Sequence, residues 1–224
     1  MTPLILALDT TGELGSVALV RGEVVCAQCL MESPDGFAHV LYGCVEEVLG
    51  SVGVTICDVD CFAAAAGPGS FTGVRVGLAA IKGFAEATGK PAVAISTLEA
   101  VAFHGEGALR AVVLNAHRGE IYGAVYDARL EVVSEPVVGA LEVWLESLPA
   151  GQLEFVTVQP SWLAPLLAVT RFREAVIRET GEWLAGGVAR IAEARFRAGQ
   201  ALDSAALDAL YVRRSDAEIF WKER

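Results

Sequence analysis

The chain has 224 residues, of which 54% are hydrophobic and 20% charged, with a net charge of −11 at pH 7. This composition supports a substantial core and excludes a disordered chain. The acidic balance argues against a protein that grips nucleic acid by itself, because that affinity rests on Lys and Arg neutralising phosphates. No apolar run reaches the roughly twenty residues that span a bilayer. The start, Met1-Thr2-Pro3-Leu4, lacks the basic flank of a signal peptide, so a cytoplasmic protein without membrane association is expected.

Leu4–Asp9, Gly15–Val20 and Glu23–Met31 read as three short strands, with turns at Thr10–Leu14 and Arg21-Gly22, a spacing that suits an antiparallel meander. A helix follows. Phe37, Val40, Leu41, Cys44, Val45, Val48, Leu49 and Val52 recur at the three/four spacing of one apolar stripe, and Gly53 is its stop. Cys61–Ala66 reads as a buried strand, Thr72 to Thr88 as a helix ended by Gly89 and Pro91, and Ala92–Ile95 as another strand. Ser96-x-x-Glu99 has the form of a capping box opening a further helix. The pattern restarts near Leu109. Arg110–Leu114, Ile121–Tyr126 and Leu130–Val138 read as strands, with turns at His117–Glu120 and Asp127–Arg129. Helical and short strand segments lead to Val176, and Trp183–Arg197 reads as a helix. Three strands followed by mixed helix and strand thus occur twice. This predicts an α/β or α+β chain in two lobes, residues 1–106 and 107–224, with the C-terminal helix and the charged tail Tyr211–Arg224 in the second.

Between the strand at 61–66 and the helix at 72–88 lies Gly67-Pro68-Gly69-Ser70-Phe71-Thr72-Gly73-Val74-Arg75-Val76-Gly77-Leu78. A strand, a glycine turn and a helix start build an anion site. Gly67 and Gly69 admit backbone conformations closed to other residues. Ser70 or Thr72 caps the helix, and its first N–H groups suit a phosphate, a carboxylate or a partner's loop. The same residues also describe a capped helix with a tight entry turn. The segment has no Gly-Lys-Ser/Thr of a Walker A loop and no G-x-G-x-x-G spacing. Pro68 and Thr72 stand where a nucleophile elbow around Ser70 needs glycines.

Of the five cysteines (Cys26, Cys29, Cys44, Cys57 and Cys61), Cys26 and Cys29 have Cys-x-x-Cys spacing within a predicted strand. Their odd separation directs them to opposite faces, and no second Cys or His pair completes a zinc site. Buried free thiols are the expected state. The histidines are His39, His104 and His117, and the residues four away from His39 are Asp35 and Gly43, so no His-x-x-x-His metal pair exists.

The glycine segment resembles the signature of the TsaB (YeaZ) family, accessory subunits of bacterial tRNA threonylcarbamoyladenosine synthesis. Four further segments agree in family order: Leu6-Ala7-Leu8-Asp9-Thr10-Thr11, Ser96-Thr97-Leu98-Glu99-Ala100, Arg118-Gly119-Glu120-Ile121-Tyr122 and Tyr211-Val212-Arg213-Arg214. The resemblance implies an α/β fold of duplicated ribonuclease-H-like lobes, of the actin, Hsp70 and sugar-kinase type, each a three-stranded meander plus helices. It implies a subunit without catalysis of its own that binds and stabilises TsaD (Gcp/Kae1-like). TsaD transfers the threonylcarbamoyl group from threonylcarbamoyl-adenylate to a tRNA adenosine, and TsaE supplies a regulatory ATPase. The chain would form a homodimer when alone, meet tRNA only indirectly and hold no tight cofactor, with ATP or ADP shared at the complex interface.

The resemblance also places the partner surface on the helices at 37–52 and 72–88. Phe37, Leu41, Val45, Val74, Leu78 and Ile81 are interface or core residues, which the sequence does not separate. Arg75 and Lys82 are candidates for interface ion pairs or solvated cations. Asp9-Thr10-Thr11 matches the first phosphate loop of the actin-like group, and Gly67, Gly69, Ser70, Thr72 and Gly73 complete the anion- or nucleotide-loop candidates. At the second phosphate loop the family keeps Asp-Ala-Arg, whereas this chain has Asn115-Ala116-His117, and a neutral amide binds hard cations less strongly than a carboxylate. No catalytic or metal residue is assigned. The competing readings are an active ATPase or kinase using Asp9 and Gly67–Gly73, with Gly186-Gly187 as a weak adenosine loop, a peptidase assembled from Ser70, His39 or His117, and Asp9, or a homodimer binding a small anion at Ser70–Gly73.

Overall fold

In the computed structural model, which describes residues 2–181, 183–210 and 212, two five-stranded sheets repeat one topology. In the first, β1 (Leu4–Asp9), β2 (Leu14–Arg21) and β3 (Val24–Glu32) form an antiparallel meander, and β4 (Cys61–Ala65) and β5 (Ala92–Ile95) extend it in parallel, in the order β3-β2-β1-β4-β5. In the second, β6 (Leu109–His117), β7 (Glu120–Asp127) and β8 (Val132–Ala140) form the meander, and β9 (Glu154–Thr157) and β10 (Val176–Glu179) extend it, in the order β10-β9-β6-β7-β8. The predicted α/β class and the three-stranded meander of each lobe therefore hold.

Helix α1 (Leu41–Ser51) packs on β2 and β3, and α2 (Phe71–Thr88) packs on β4 and β5. Leu4, Leu6 and Leu8 join the core beneath these helices. Ile5 and Ala7 are equally buried and alternate to the other face. A six-residue helix, α3 (Thr97–Ala102), follows β5; α4 (Leu141–Ser147) and α5 (Pro160–Leu167) belong to the second sheet, whose core gathers Val113, Ile121, Trp144, Phe155 and Leu163. Helix α6 (Leu184–Arg197) packs on β1, β2, β4 and β5. The chain accordingly divides into Met1–Ala100 with Gly181–Leu210, and Val101–Thr180. The linear division at residue 106 placed α6 in the second lobe. Its buried Leu184, Val188 and Ile191 instead serve the first sheet.

Local differences have local causes. Helix α1 begins at Leu41, and Phe37–Val40 forms a turn in which the Leu41 N–H donates to the Phe37 carbonyl at 2.9 Å. The predicted capping box at Ser96 does not close with Glu99. That carboxylate accepts from the Arg195 guanidinium at 2.7 Å, which also donates to the Ala94 carbonyl at 3.1 Å. Burial raises the Glu99 carboxyl above its ordinary value, against the pull of Arg195.

The cysteines also depart from expectation. Cys29 and Cys44 form a disulfide between β3 and α1, Cys26 is half-buried, Cys57 is exposed, and Cys61 is the buried free thiol, its pKa pushed up to about 12 by burial and by Asp60. A bulge leaves Cys26 unpaired between Val25, opposite Val20, and Ala27, opposite Leu19. Strict alternation fails there, and Cys26 and Cys29 both pack on the same core cluster.

In the second unit, the segment before β6 is tied to β9. Glu154 is 6% exposed and accepts the Glu106 and Gly107 N–H groups at 2.7 Å each and Arg178 Nε at 2.6 Å. Burial opposes ionisation, yet the Gly107 N–H, Arg178 and the Glu106 N–H together hold the carboxyl below its ordinary range. Buried Arg110 donates to the Gly107 and Ala102 carbonyls at 3.1 and 3.0 Å. Among the described residues no helix is long and apolar enough to cross a membrane. The Tyr211-Val212-Arg213-Arg214 match and the charged tail lie outside the described residues except for Val212.

Candidate functional site

The chain leaves β4, turns at Gly67 with φ of 103°, and enters α2 with Ser70 as its cap, the Ser70 hydroxyl oxygen accepting the Gly73 N–H at 3.2 Å. This loop lies directly against the turn that follows β1. The Ser70 N–H donates to the Thr11 carbonyl at 2.7 Å, and Thr10 Oγ1 donates to the Gly73 carbonyl at 2.7 Å. A Cβ on Gly69 would stand 2.5 Å from the Thr11 carbonyl oxygen, one on Gly77 would stand 2.6 Å from Thr10 Oγ1, and one on Gly73 would fall on the Thr10 carbonyl oxygen. Three glycines spaced by four residues thus let the start of α2 touch one turn backbone to backbone. Gly77 was not singled out in the sequence. Its signal is this spacing.

Asp9, Thr10 and Thr11 are buried. Asp9 Oδ1 accepts the Thr11 N–H at 3.0 Å and the Thr11 hydroxyl at 2.7 Å. Burial raises its pKa, and the two Thr11 bonds pull against that rise. An open groove of about 490 Å³ adjoins the loop, lined among others by Glu13, Glu32, Ser33, Phe37, Ser70 and Thr72. Glu13 and Glu32 are exposed carboxylates, so a phosphate entering here meets like charge. The Ser70 N–H is already engaged with the Thr11 carbonyl, and the Ser70 hydroxyl oxygen accepts the Gly73 N–H.

The helix face divides more sharply than the sequence showed. Phe37, Leu41, Val45, Val74, Leu78 and Ile81 are all buried in the first core, whereas Arg75 is exposed and Lys82 half-buried. The outward face instead carries Tyr42 and Phe71, 55% and 40% exposed, with Gly43, Ala79 and Gly83 between charged neighbours. Tyr42 meets Phe84 edge-on at 5.9 Å, and the Arg75 guanidinium lies 3.7 Å over the Phe71 ring. Apolar periodicity marks the inward stripe and passes over the residues beside it. The available signal is an aromatic or small residue one step off the stripe, as Tyr42 stands beside Leu41.

Of the residues in the peptidase reading, Ser70 caps α2, Asp9 accepts from Thr11, and exposed His39 lies 3.4 Å from Ser33 Oγ. In the second unit, Asn115 Oδ1 accepts the His117 N–H at 2.8 Å. Gly186 and Gly187 are buried within α6.

Comparison with known proteins agrees with this architecture. The family model described as TsaD, tRNA N6-adenosine threonylcarbamoyltransferase, matches residues 35–151. The tRNA threonylcarbamoyladenosine biosynthesis protein TsaB of Escherichia coli (strain K12) is 32% identical over 173 residues, covering 71% of this chain and 72% of that protein. A Pseudomonas aeruginosa protein with similarity to peptidase YEAZ superposes with a TM-score of 0.79 at 22% identity, over 94% of this chain and 100% of that one. The activator of 2-hydroxyisocaproyl-CoA dehydratase from Clostridium difficile shares the fold more distantly, with a TM-score of 0.55 at 9% identity over 94% of this chain and all of that one. The glycine loop seated on the Asp9 turn, the repeated sheet topology and identity over most of both chains together show that this chain belongs to the TsaB family of tRNA threonylcarbamoyladenosine biosynthesis proteins.

Proposed function

We propose that this chain acts in tRNA threonylcarbamoyladenosine synthesis as a subunit without catalysis of its own, binding and stabilising a TsaD-type transferase in the cytoplasm. The observation that carries the reading is the use of the glycine loop for packing. Its Ser70 N–H and Gly73 carbonyl bond to the Thr11 and Thr10 turn, and its glycines make room for that contact. The outer face of α1 and α2, with Tyr42, Phe71, Arg75 and Ala79, is the partner surface in this reading. Exposed aromatics with small residues between them suit a close helix-to-helix contact. The same face pairs two copies when the partner is absent. ATP or ADP, where present, is shared with the partner, and TsaE joins the assembled pair. tRNA is met through the partner, consistent with the net charge of −11.

The test is size-exclusion chromatography with light scattering on the purified chain mixed with TsaD from the same source. A 1:1 complex, weakened by Tyr42→Asp and by charge reversal at Arg75, is the expected result. Two unchanged peaks at micromolar concentration overturn it. ATP turnover by the chain alone, abolished by Asp9→Ala, would favour the actin-fold ATPase instead.

A further inference from the structure

β3 is the edge strand of the first sheet, and α1 packs against it. Three of the five cysteines sit on these two elements, Cys26 and Cys29 on β3 and Cys44 on α1. The Cys29 and Cys44 Cα atoms are 5.8 Å apart, inside the range a disulfide spans without backbone movement. Cys29 is half-buried at the sheet edge rather than sealed in the core. Cys26, three residues away, is a half-buried free thiol that the bulge turns to the same core cluster. The helix does not depend on the bond, because Leu41, Val45, Val48 and Leu49 hold it in the core. The bond closes a loop across a sequence separation of 15 residues. A cross-link that the packing can do without, reachable from an edge and flanked by a third thiol, has the chemistry of a reversible modification.

We infer that Cys29–Cys44 is a redox latch between β3 and α1, with Cys26 as its exchange thiol. In the open form both latch residues are thiols. A low-molecular-weight disulfide such as oxidised glutathione closes it. The Cys26 thiolate attacks the reagent, forming a mixed disulfide and releasing one small thiol; one latch thiolate then takes the remaining small thiol group from Cys26, which returns as a thiolate, and the second latch sulfur displaces that group. One S–S bond forms in the protein and one breaks in the reagent. Two electrons pass from the protein sulfurs to the reagent, and its two sulfurs leave as thiols with the two protons. Reduced glutathione runs the exchange backwards. The closed latch pins α1, and with it the Tyr42 ring against Phe84 of α2, to the sheet edge. This property does not rest on the accessory role proposed above.

The full chain is equilibrated in glutathione buffers from fully reduced to fully oxidised and quenched with an alkylating reagent. Linked and unlinked peptides are counted by mass spectrometry, and hydrogen exchange is followed across Leu41–Ser51. The Cys29–Cys44 peptide should appear and vanish across the series, with α1 amides exchanging about threefold or more faster in the open form. Cys29→Ser and Cys44→Ser should show the open rate in every buffer, and Cys26→Ser should close more slowly. Reduced and alkylated natural chain supplies the open form where a serine variant fails to fold. A pair linked in every buffer, a pair linked in none, or equal α1 exchange in the two forms overturns the latch. Unchanged closing by Cys26→Ser removes Cys26 from it.

Discussion

The two sheets share a strand order and differ at the same two joints. At the end of the first strand of each meander stands an Asx residue whose Oδ1 accepts the N–H two residues on, Asp9 to Thr11 and Asn115 to His117. In the first unit that turn is buried beneath a glycine-bearing helix start. In the second it is half-exposed, and Thr157–Leu167, which includes the much shorter α5, contains no glycine. One topology therefore supports two economies. The first unit obtains close packing through glycine and a buried acid, and the second relies on an ion-paired acid, Glu154, at the foot of β9. What a fold repeats is the hydrogen-bonded ladder, and what it varies is how each joint satisfies its polar groups.

The comparison breaks most severely at Gly73. Gly73→Ala places a methyl on the Thr10 carbonyl, and backbone must shift to admit it. A loss of about 3 kcal/mol or more is expected in denaturant melts, whereas Ser161→Ala on α5 should fall within about 0.5 kcal/mol. Equal losses at the two helices would sink the glycine-packing account.

Next in size is Glu154→Gln, which turns an amide toward Arg178 and weakens two backbone bonds, at about 2 kcal/mol. The pH dependence has a definite sign. The folded pKa of Glu154 lies below its ordinary 4.5, so its contribution is complete above that value and fades as pH falls through the folded pKa. Asp9 runs oppositely. Its folded pKa is raised above 3.8, so its contribution is present below 3.8 and fades as pH rises through the folded value. Urea melts across acid pH should show the natural chain losing its advantage over Glu154→Gln on acidification, and Asp9→Asn gaining on the natural chain as pH rises. Curves tilting the same way would contradict the two environments.

Smaller effects sharpen the comparison. Asp9→Ala leaves the Thr11 N–H and hydroxyl without their acceptor, at about 1–3 kcal/mol, while Asp9→Asn, copying Asn115, should stay within about 1 kcal/mol of the natural chain at neutral pH. Asn115→Ala should lose about 1 kcal/mol, and Asn115→Asp less, each read from the thermal midpoint.

The three-stranded meanders were legible because short apolar runs between turn residues and a restart near Leu109 are local patterns, as is the apolar stripe of α1. The allegiance of α6 was not, because its apolar face has the same spacing whichever sheet it covers. The glycine segment was legible as special but not in its purpose. Absence of a side chain serves a turn, an anion and a close backbone contact alike, and only the Thr10 and Thr11 carbonyls distinguish them. The cysteine pairing escaped because Cys29 and Cys44 lie on different elements that meet only in the folded chain, and Glu99 escaped because its partner Arg195 is remote in sequence.

The return of α6 to the first sheet has a consequence for synthesis. When residues 1–100 have left the ribosome, Ile5, Ala7, Ala18 and Val20 exist but their cover, residues 184–197, has not been translated. The nascent chain therefore carries a naked apolar sheet face while some eighty further residues, a whole second unit, are made. A fragment ending at Ala100 inherits that exposure permanently, and supplying the α6 segment in trans should restore its solubility.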